Sequence, residues 1–308
     1  MTIATITTDF GRWWAEVLTL RPLGRDVFDA GPAPSAFPRL YGGQVAAQGL
    51  LAAAATVEGP REPHSVHTAF LRGGDNTRPV TYRVERARES RTLSTRLVRA
   101  EQDGRLLATA IASFHAQGDG LRYHLEHDIG DAAGNRHDRP APAPATLPSR
   151  PERLAAAFGD KVPDAGAPVW PVDVRYVDRT PWDPAPDGVP APPCNRAWIR
   201  AAARLPDVPA VQAAALTFAT DYPMFEPILF PHGIEWAEMI GGRSVYGASL
   251  DHALWFHRPP RFDDWLLLHQ VSPVATRSRG FCRAEVRSTD GQLVATVAQE
   301  VGFVEPRP

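Results

Sequence analysis

Behind the pair Gly42-Gly43 the chain runs through Gln44-Val45-Ala46-Ala47-Gln48-Gly49-Leu50-Leu51-Ala52-Ala53-Ala54-Ala55 with hardly a polar residue. With Tyr41 in front, this stretch suffices for about four helical turns. An amphipathic surface helix would show a polar face, and this one has none. The pattern therefore predicts a buried helix, approached by other backbone on every side, in the curve of a sheet. Glu58-Gly59-Pro60 ends it. Short β-type runs follow at 64–71, 79–86, 92–100 and 106–115, and Gln102-Asp103-Gly104-Arg105 marks a hairpin. Residues 10–18 fit a short helix or a strand equally well.

From 117 the periodicity dissolves. The proline–alanine alternation at 139–145 excludes helix and central strand, so 118–168 reads as an extended linker with a short helix at 152–158. Strand patterns at 169–177 and 195–200 flank a proline-rich loop at 181–193. A second apolar helix spans 209–220, and Pro223 ends or bends its extension. Strands return at 248–256, 265–271, 280–287 and 293–303, with a turn at Ser288-Thr289-Asp290-Gly291-Gln292.

Helix followed by strands thus occurs twice, and the residues repeat too. Asp103-Gly104-Arg105-Leu106-Leu107-Ala108-Thr109 returns as Asp290-Gly291-Gln292-Leu293-Val294-Ala295-Thr296, a spacing of 187. Phe70-Leu71-Arg72 matches Phe256-His257-Arg258 at 186, and Ser90-Arg91 matches Ser278-Arg279 at 188. Two copies of one α+β unit are expected, each a long central helix wrapped by an antiparallel sheet, at 1–117 and 169–308.

Composition narrows the chemistry. The chain has 308 residues, 44% hydrophobic and 22% charged, with a formal net charge of −2. That balance supports a sizeable core and gives no electrostatic case for nucleic acid or an anionic membrane surface. No stretch is apolar enough to span a bilayer. The N-terminus lacks the basic and apolar regions of a signal peptide. Cys194 and Cys282 have no CxxC and no metal-type histidine spacing, so a reduced, cytoplasmic protein without metal is expected. The serine-hydrolase elbow, the dinucleotide fingerprint and the P-loop are all missing.

Polar residues found in only one copy are the candidates for chemistry. Gln299 stands where the first copy has Ala112, on an otherwise apolar strand. Asp221 ends the apolar run 213–219 with no basic neighbour in sequence, and an unpaired buried carboxylate is expensive. Ser249 begins the next strand. Each has a plainer reading: Asp221 as a helix end before Tyr-Pro, Gln299 as a solvated strand end, Ser249 as an ordinary strand serine. His64, His67, His252 and His257 read as packing and hydrogen-bonding residues. The Gly43–Gln44 helix start offers amides and a positive dipole end to an anionic oxygen.

Tyr41-Gly42-Gly43-Gln44 with Gln48, and His64-Ser65-Val66-His67-Thr68-Ala69-Phe70-Leu71-Arg72-Gly73-Gly74-Asp75, resemble the N-terminal half of the type II acyl-CoA thioesterases. Pro231-His232-Gly233-Ile234, Asp251-His252-Ala253-Leu254-Trp255-Phe256-His257-Arg258-Pro259, Arg279-Gly280-Phe281-Cys282-Arg283, Asp290-Gly291 and Gln299-Glu300 resemble the C-terminal half. The resemblance implies a double hotdog fold and hydrolysis of acyl-CoA or acyl-carrier thioesters without a cofactor, in lipid metabolism. It also implies a homodimer or homotetramer. The family's Asp, Thr and Gln fall on Asp221, Ser249 and Gln299, the positions singled out by asymmetry. Gly43, Gln44 and His64 are the expected substrate-binding positions. Three departures stand out: Ser249 replaces Thr, Gly73 replaces the usual Pro, and 222–225 is unusual. An enoyl-thioester hydratase or dehydratase, and a non-catalytic acyl-thioester binder, are the alternatives.

Overall fold

The computed structural model describes residues 9–32, 39–118, 120–121, 123, 140–159, 170–183, 191–234 and 246–304. In the first unit α1 (Phe10–Val17), β1 (Arg21–Gly24) and β2 (Val27–Ala30) precede α2 (Gly42–Ala54). Then come β3 (Arg61–Phe70), β4 (Val80–Glu89), β5 (Leu93–Gln102) and β6 (Arg105–Ala116). After α3 (Arg150–Phe158) the second unit holds β7 (Val172–Tyr176), β8 (Cys194–Ala201), α4 (Pro209–Asp221), α5 (Glu226–Leu229) and β9 (Tyr246–Ser249). It closes with β10 (Asp251–Phe256), β11 (Leu266–Thr276), β12 (Arg279–Ser288) and β13 (Leu293–Val304). Residues 10–17, ambiguous by pattern, are helical. Their tryptophans decide it, because Trp13 and Trp14 lie one beside the other on Phe218 of α4. Most of the expected linker lies outside the described residues; α3, within it, starts at a Ser149/Glu152 capping box.

The strand order shows the repeat as symmetry. It reads β1-β2-β4-β5-β6-β3 and then β10-β13-β12-β11-β8-β7, the same arrangement reversed, with β9 added against β13. The two halves meet where β3 and β10 pair antiparallel, His67 opposite Ala253. One continuous sheet therefore curls around both helices. Residues 43–53 of α2 and 212–221 of α4 are all buried, which is why both helices are built from alanine and other small residues. The amide of Gln48, in the middle of α2, is satisfied by the Val17 carbonyl (2.8 Å) and the Tyr82 hydroxyl (2.8 Å).

Two features serve the end of α4, and the first has a counterpart in the first unit, where the pairing of β3 with β6 also shifts by one residue, between Pro63 and Ser65. The first is a β-bulge. The pattern predicts one strand over 248–256, yet the pairing with β13 shifts by one residue between Ser249↔Val301 and Ala253↔Ala298. Leu250 is the extra residue. In a regular strand Ser249 would face away from the side that His252 and Leu254 bury; the bulge turns it inward. The second is the extension of α4, a 3₁₀ turn at Tyr222–Phe225 running into α5.

Glu226 ties this extension to the sheet. Its carboxylate accepts from Tyr176 Oη (3.0 Å) on β7 and Asn195 Nδ2 (3.0 Å) on β8. Arg150 contributes a favourable charge, but burial dominates and raises the Glu226 carboxyl from 4.5 to about 7. The folded chain therefore holds this proton more tightly than the unfolded one. The stability contributed is complete below about pH 4.5 and is lost as pH rises through about 7. The amount is of order 3 kcal/mol. In urea denaturation between about pH 5 and 8, wild type should lose stability relative to Glu226→Gln as pH rises. Parallel curves for the two proteins would contradict it.

Candidate active site

The last residue of α4 is Asp221, and α2 begins directly opposite it. The positive end of α2 stabilises the carboxylate: Asp221 Oδ2 accepts the Gly43 N–H at 2.7 Å. The N-cap residue of α2, Tyr41, makes no side-chain cap bond of its own, so Asp221 fills that role from the second unit. The contact requires bare backbone. A Cβ on Gly43 would lie 2.6 Å from the Phe218 carbonyl oxygen and the Tyr41 ring, and one on Gly42 would lie 3.0 Å from Asp221 Oδ2. The Tyr41 hydroxyl secures the junction by donating to Phe218 O (2.8 Å) and accepting from Tyr222 N (3.0 Å). Burial holds that phenol well above its ordinary pKa, so it is a neutral donor.

Ser249, turned inward by the bulge, donates to Asp221 Oδ1 at 2.8 Å. Gln299 on β13 donates through Nε2 to Ser249 Oγ (3.0 Å) and to the Asp221 backbone oxygen (3.1 Å). Carboxylate, hydroxyl and amide thus form one hydrogen-bonded set. Asp221 is 2% exposed and Gln299 is fully buried. Gln299 Oε1 and His252 Nδ1 are both buried without a hydrogen bond of ordinary geometry, and the Gln299 side chain is the one that interacts with the His252 ring. Beneath the set lies His252, with Nε2 near Thr220 Oγ1 (3.2 Å) and Thr217 O (3.3 Å). Burial lowers its basicity despite the Asp221 charge, so the ring is neutral at pH 7.

Of the expected substrate-binding positions, the structure brings Gly43 and Gln44 to the site, in the first turn of α2. It does not bring His64. That ring pairs with Ser113 Oγ (2.9 Å) and stands edge-on to His115. It lies six residues before Phe70, whose ring approaches Gly42, and six residues of strand span about 20 Å. His64 belongs to the far end of β3. Tyr41 and the bulge at Leu250 carry no sequence signature of their role; Tyr41 acts across the junction of the units, and the bulge recurs in β3. Among the described residues no cluster of His, Cys, Asp and Glu could hold a metal ion.

The equivalent place in the first unit is closed. Cys282 pairs with Gln299, and in the same geometry Arg96 pairs with Ala112. Arg96 is fully buried and donates to Thr56 Oγ1 (2.7 Å), Thr56 O (3.0 Å) and the Glu89 carboxylate. A guanidinium fills the space that Asp221, Ser249 and Gln299 share in the second unit.

Comparison with known proteins accords with this geometry. Residues 30–115 match the acyl-CoA thioesterase N-terminal domain and residues 140–303 the acyl-CoA thioesterase C-terminal domain. Human acyl-coenzyme A thioesterase 8 is 30% identical over 303 residues, covering 95% of this chain and 88% of its own. The crystal structure of the acyl-CoA thioesterase II TesB2 from Mycobacterium marinum superposes with a TM-score of 0.72 at 32% identity, covering 95% of this chain and 98% of that one. A hot dog protein of unknown function from Alicyclobacillus acidocaldarius gives 0.72 at 20% identity, with 96% and 98% covered, and bears on the fold alone. Two fused helix-in-sheet units, matched in order by both domains, make this chain a double-hotdog member of the type II acyl-CoA thioesterase family.

Proposed function

We propose that the chain hydrolyses acyl-CoA or acyl-carrier thioesters by direct attack of water, with Asp221 as general base. The observation that carries this reading is the convergence of Asp221, Ser249 and Gln299 where α2 meets α4. Asp221 accepts one proton as the water oxygen bonds to the acyl carbon, and the proton passes to the departing thiolate as the C–S bond breaks. Ser249 and Gln299 hold the water. In this scheme Ser249 orients the water and forms no acyl-enzyme; its hydroxyl donates to Asp221.

The developing oxyanion needs donors. The Gly43 N–H serves Asp221, so the oxyanion falls to Gly42 and Gln44 in the same turn, whose amides have no intrahelical acceptor. A hydratase would use a histidine beside the carboxylate. His252 lies beneath the set with Nε2 turned to α4, which favours hydrolysis.

With a saturating acyl-CoA, Asp221→Asn should lower kcat by at least about 10³-fold, and Ser249→Ala by about 10–100-fold, at unchanged circular dichroism. Near-normal thiol release by Asp221→Asn would overturn the scheme. Mass spectrometry of quenched wild-type enzyme should find no acyl group on Ser249. Crotonyl-CoA should yield free thiol; enoyl absorbance lost without thiol would mean hydration instead. Gly43→Ala should cost more than about 2 kcal/mol, because its Cβ meets backbone and a buried ring that have no room to yield.

A further inference from the structure

Between residues 39–40, the turn after β3 and the β5–β6 hairpin lies an open cleft of about 340 Å³. Leu40 N–H donates to Gly74 O (3.1 Å), so the two segments run side by side along it. Three arginines and two aspartates line it: Arg39, Arg78, Arg105, Asp75 and Asp103. Arg78 pairs with both acids, with Asp75 at 3.4 Å and with Asp103. Arg39 and Arg105 have no carboxylate within ion-pair distance among the described residues, and both are exposed. Two cations are left over in a concave surface.

Arg39 is also positioned. Its guanidinium carbon sits 5.7 Å from the centre of the Tyr246 ring, across the boundary between the units. It rests on Gly73, where a Cβ would approach Nη1 to 3.0 Å and Cδ to 3.2 Å. Gly73 is one of the three departures from the family pattern, and the space it leaves is the space Arg39 uses. Tyr246 stands three residues before Ser249 on β9, about 10 Å along the strand. Arg39 stands four residues before Gly43, at most about 14 Å of extended chain. The cleft therefore lies one short arm's length from the reacting groups.

A thioester split at Asp221 carries a pantetheine arm on its sulfur side, and the far end of that arm is phosphorylated both in coenzyme A and on carrier proteins. Guanidinium groups bind phosphate oxygens through paired N–H donors. We infer that Arg39 and Arg105 receive a phosphate carried at or beyond the far end of the substrate's pantetheine arm, while Gly73 and Tyr246 hold Arg39 in place. This rests on the thioesterase reading and adds the direction in which the substrate lies: thiol side towards Arg39.

One acyl group presented on coenzyme A, on 4′-phosphopantetheine and on unphosphorylated pantetheine tests it. The double variant Arg39→Gln/Arg105→Gln should lower the ratio of kcat/KM for the coenzyme A thioester over the pantetheine thioester about tenfold, at an unchanged melting temperature. Gly73→Ala should shift the ratio in the same direction. If the 4′-phosphopantetheine thioester loses as much as the coenzyme A thioester, the cleft reads the phosphate shared with carrier proteins. If it does not, the cleft reads the nucleotide phosphates of coenzyme A. An unchanged ratio would overturn the inference. Failure of wild type to hydrolyse any of the three would instead remove the thioesterase reading. Calorimetric binding of 3′,5′-ADP and of 4′-phosphopantetheine, each to wild type and to the double variant, would then decide the cleft separately: loss of binding of either in the variant supports it, and unchanged binding of both refutes it.

Discussion

The hydrogen bond from Gly43 N–H to Asp221 is the constraint around which the two units are arranged. A buried carboxylate without partners costs several kcal/mol. The start of a second helix offers Asp221 unpaired amides at close range. Packing the start of α2 against the last turn of α4 answers this need. The glycine pair, the Tyr41 bond to Phe218 and the two tryptophans of α1 packed on Phe218 all serve that alignment. The elements that make the core are those that aim the carboxylate.

The duplicated frame offers this arrangement twice, but the carboxylate, hydroxyl and amide meet in one place only among the described residues. At the other junction α4 begins with Pro209, which has no amide hydrogen to offer, and α2 ends in Ala54. Arg96 fills the space there. The same geometry thus holds a carboxylate set in one copy and a structural guanidinium in the other. The two places differ in a few residues on strands whose pairing is the same.

Much of this was legible in the sequence, for physical reasons. Alanine-rich helices without a polar face have to be enclosed, and the DGxLxAT hairpins announce a duplicated sheet. Gln299 betrays itself because a buried strand seldom exchanges a methyl group for an amide without cause. Ser249 was a weak candidate by asymmetry, as a polar residue opening its strand, and the family resemblance grouped it with Asp221 and Gln299. Its inward orientation depends on the bulge at Leu250, and strict alternation predicts the opposite face. Strands β1 and β2 escaped notice because they are four residues each and β1 is exposed throughout. His64 illustrates the converse error: a histidine in a family motif lies at the wrong end of its strand, where Ser113 and His115 explain it.

The β3–β10 seam has a consequence for how the site responds to concentration. Residues on both sides of the seam build one site, as in an enzyme whose centre is shared between two subunits. In such an enzyme dilution separates the halves and activity falls by mass action. Here both halves belong to one polypeptide, so the encounter is intramolecular and its effective concentration is set by the chain itself. The contact of Asp221 with Gly43 is therefore made within one chain.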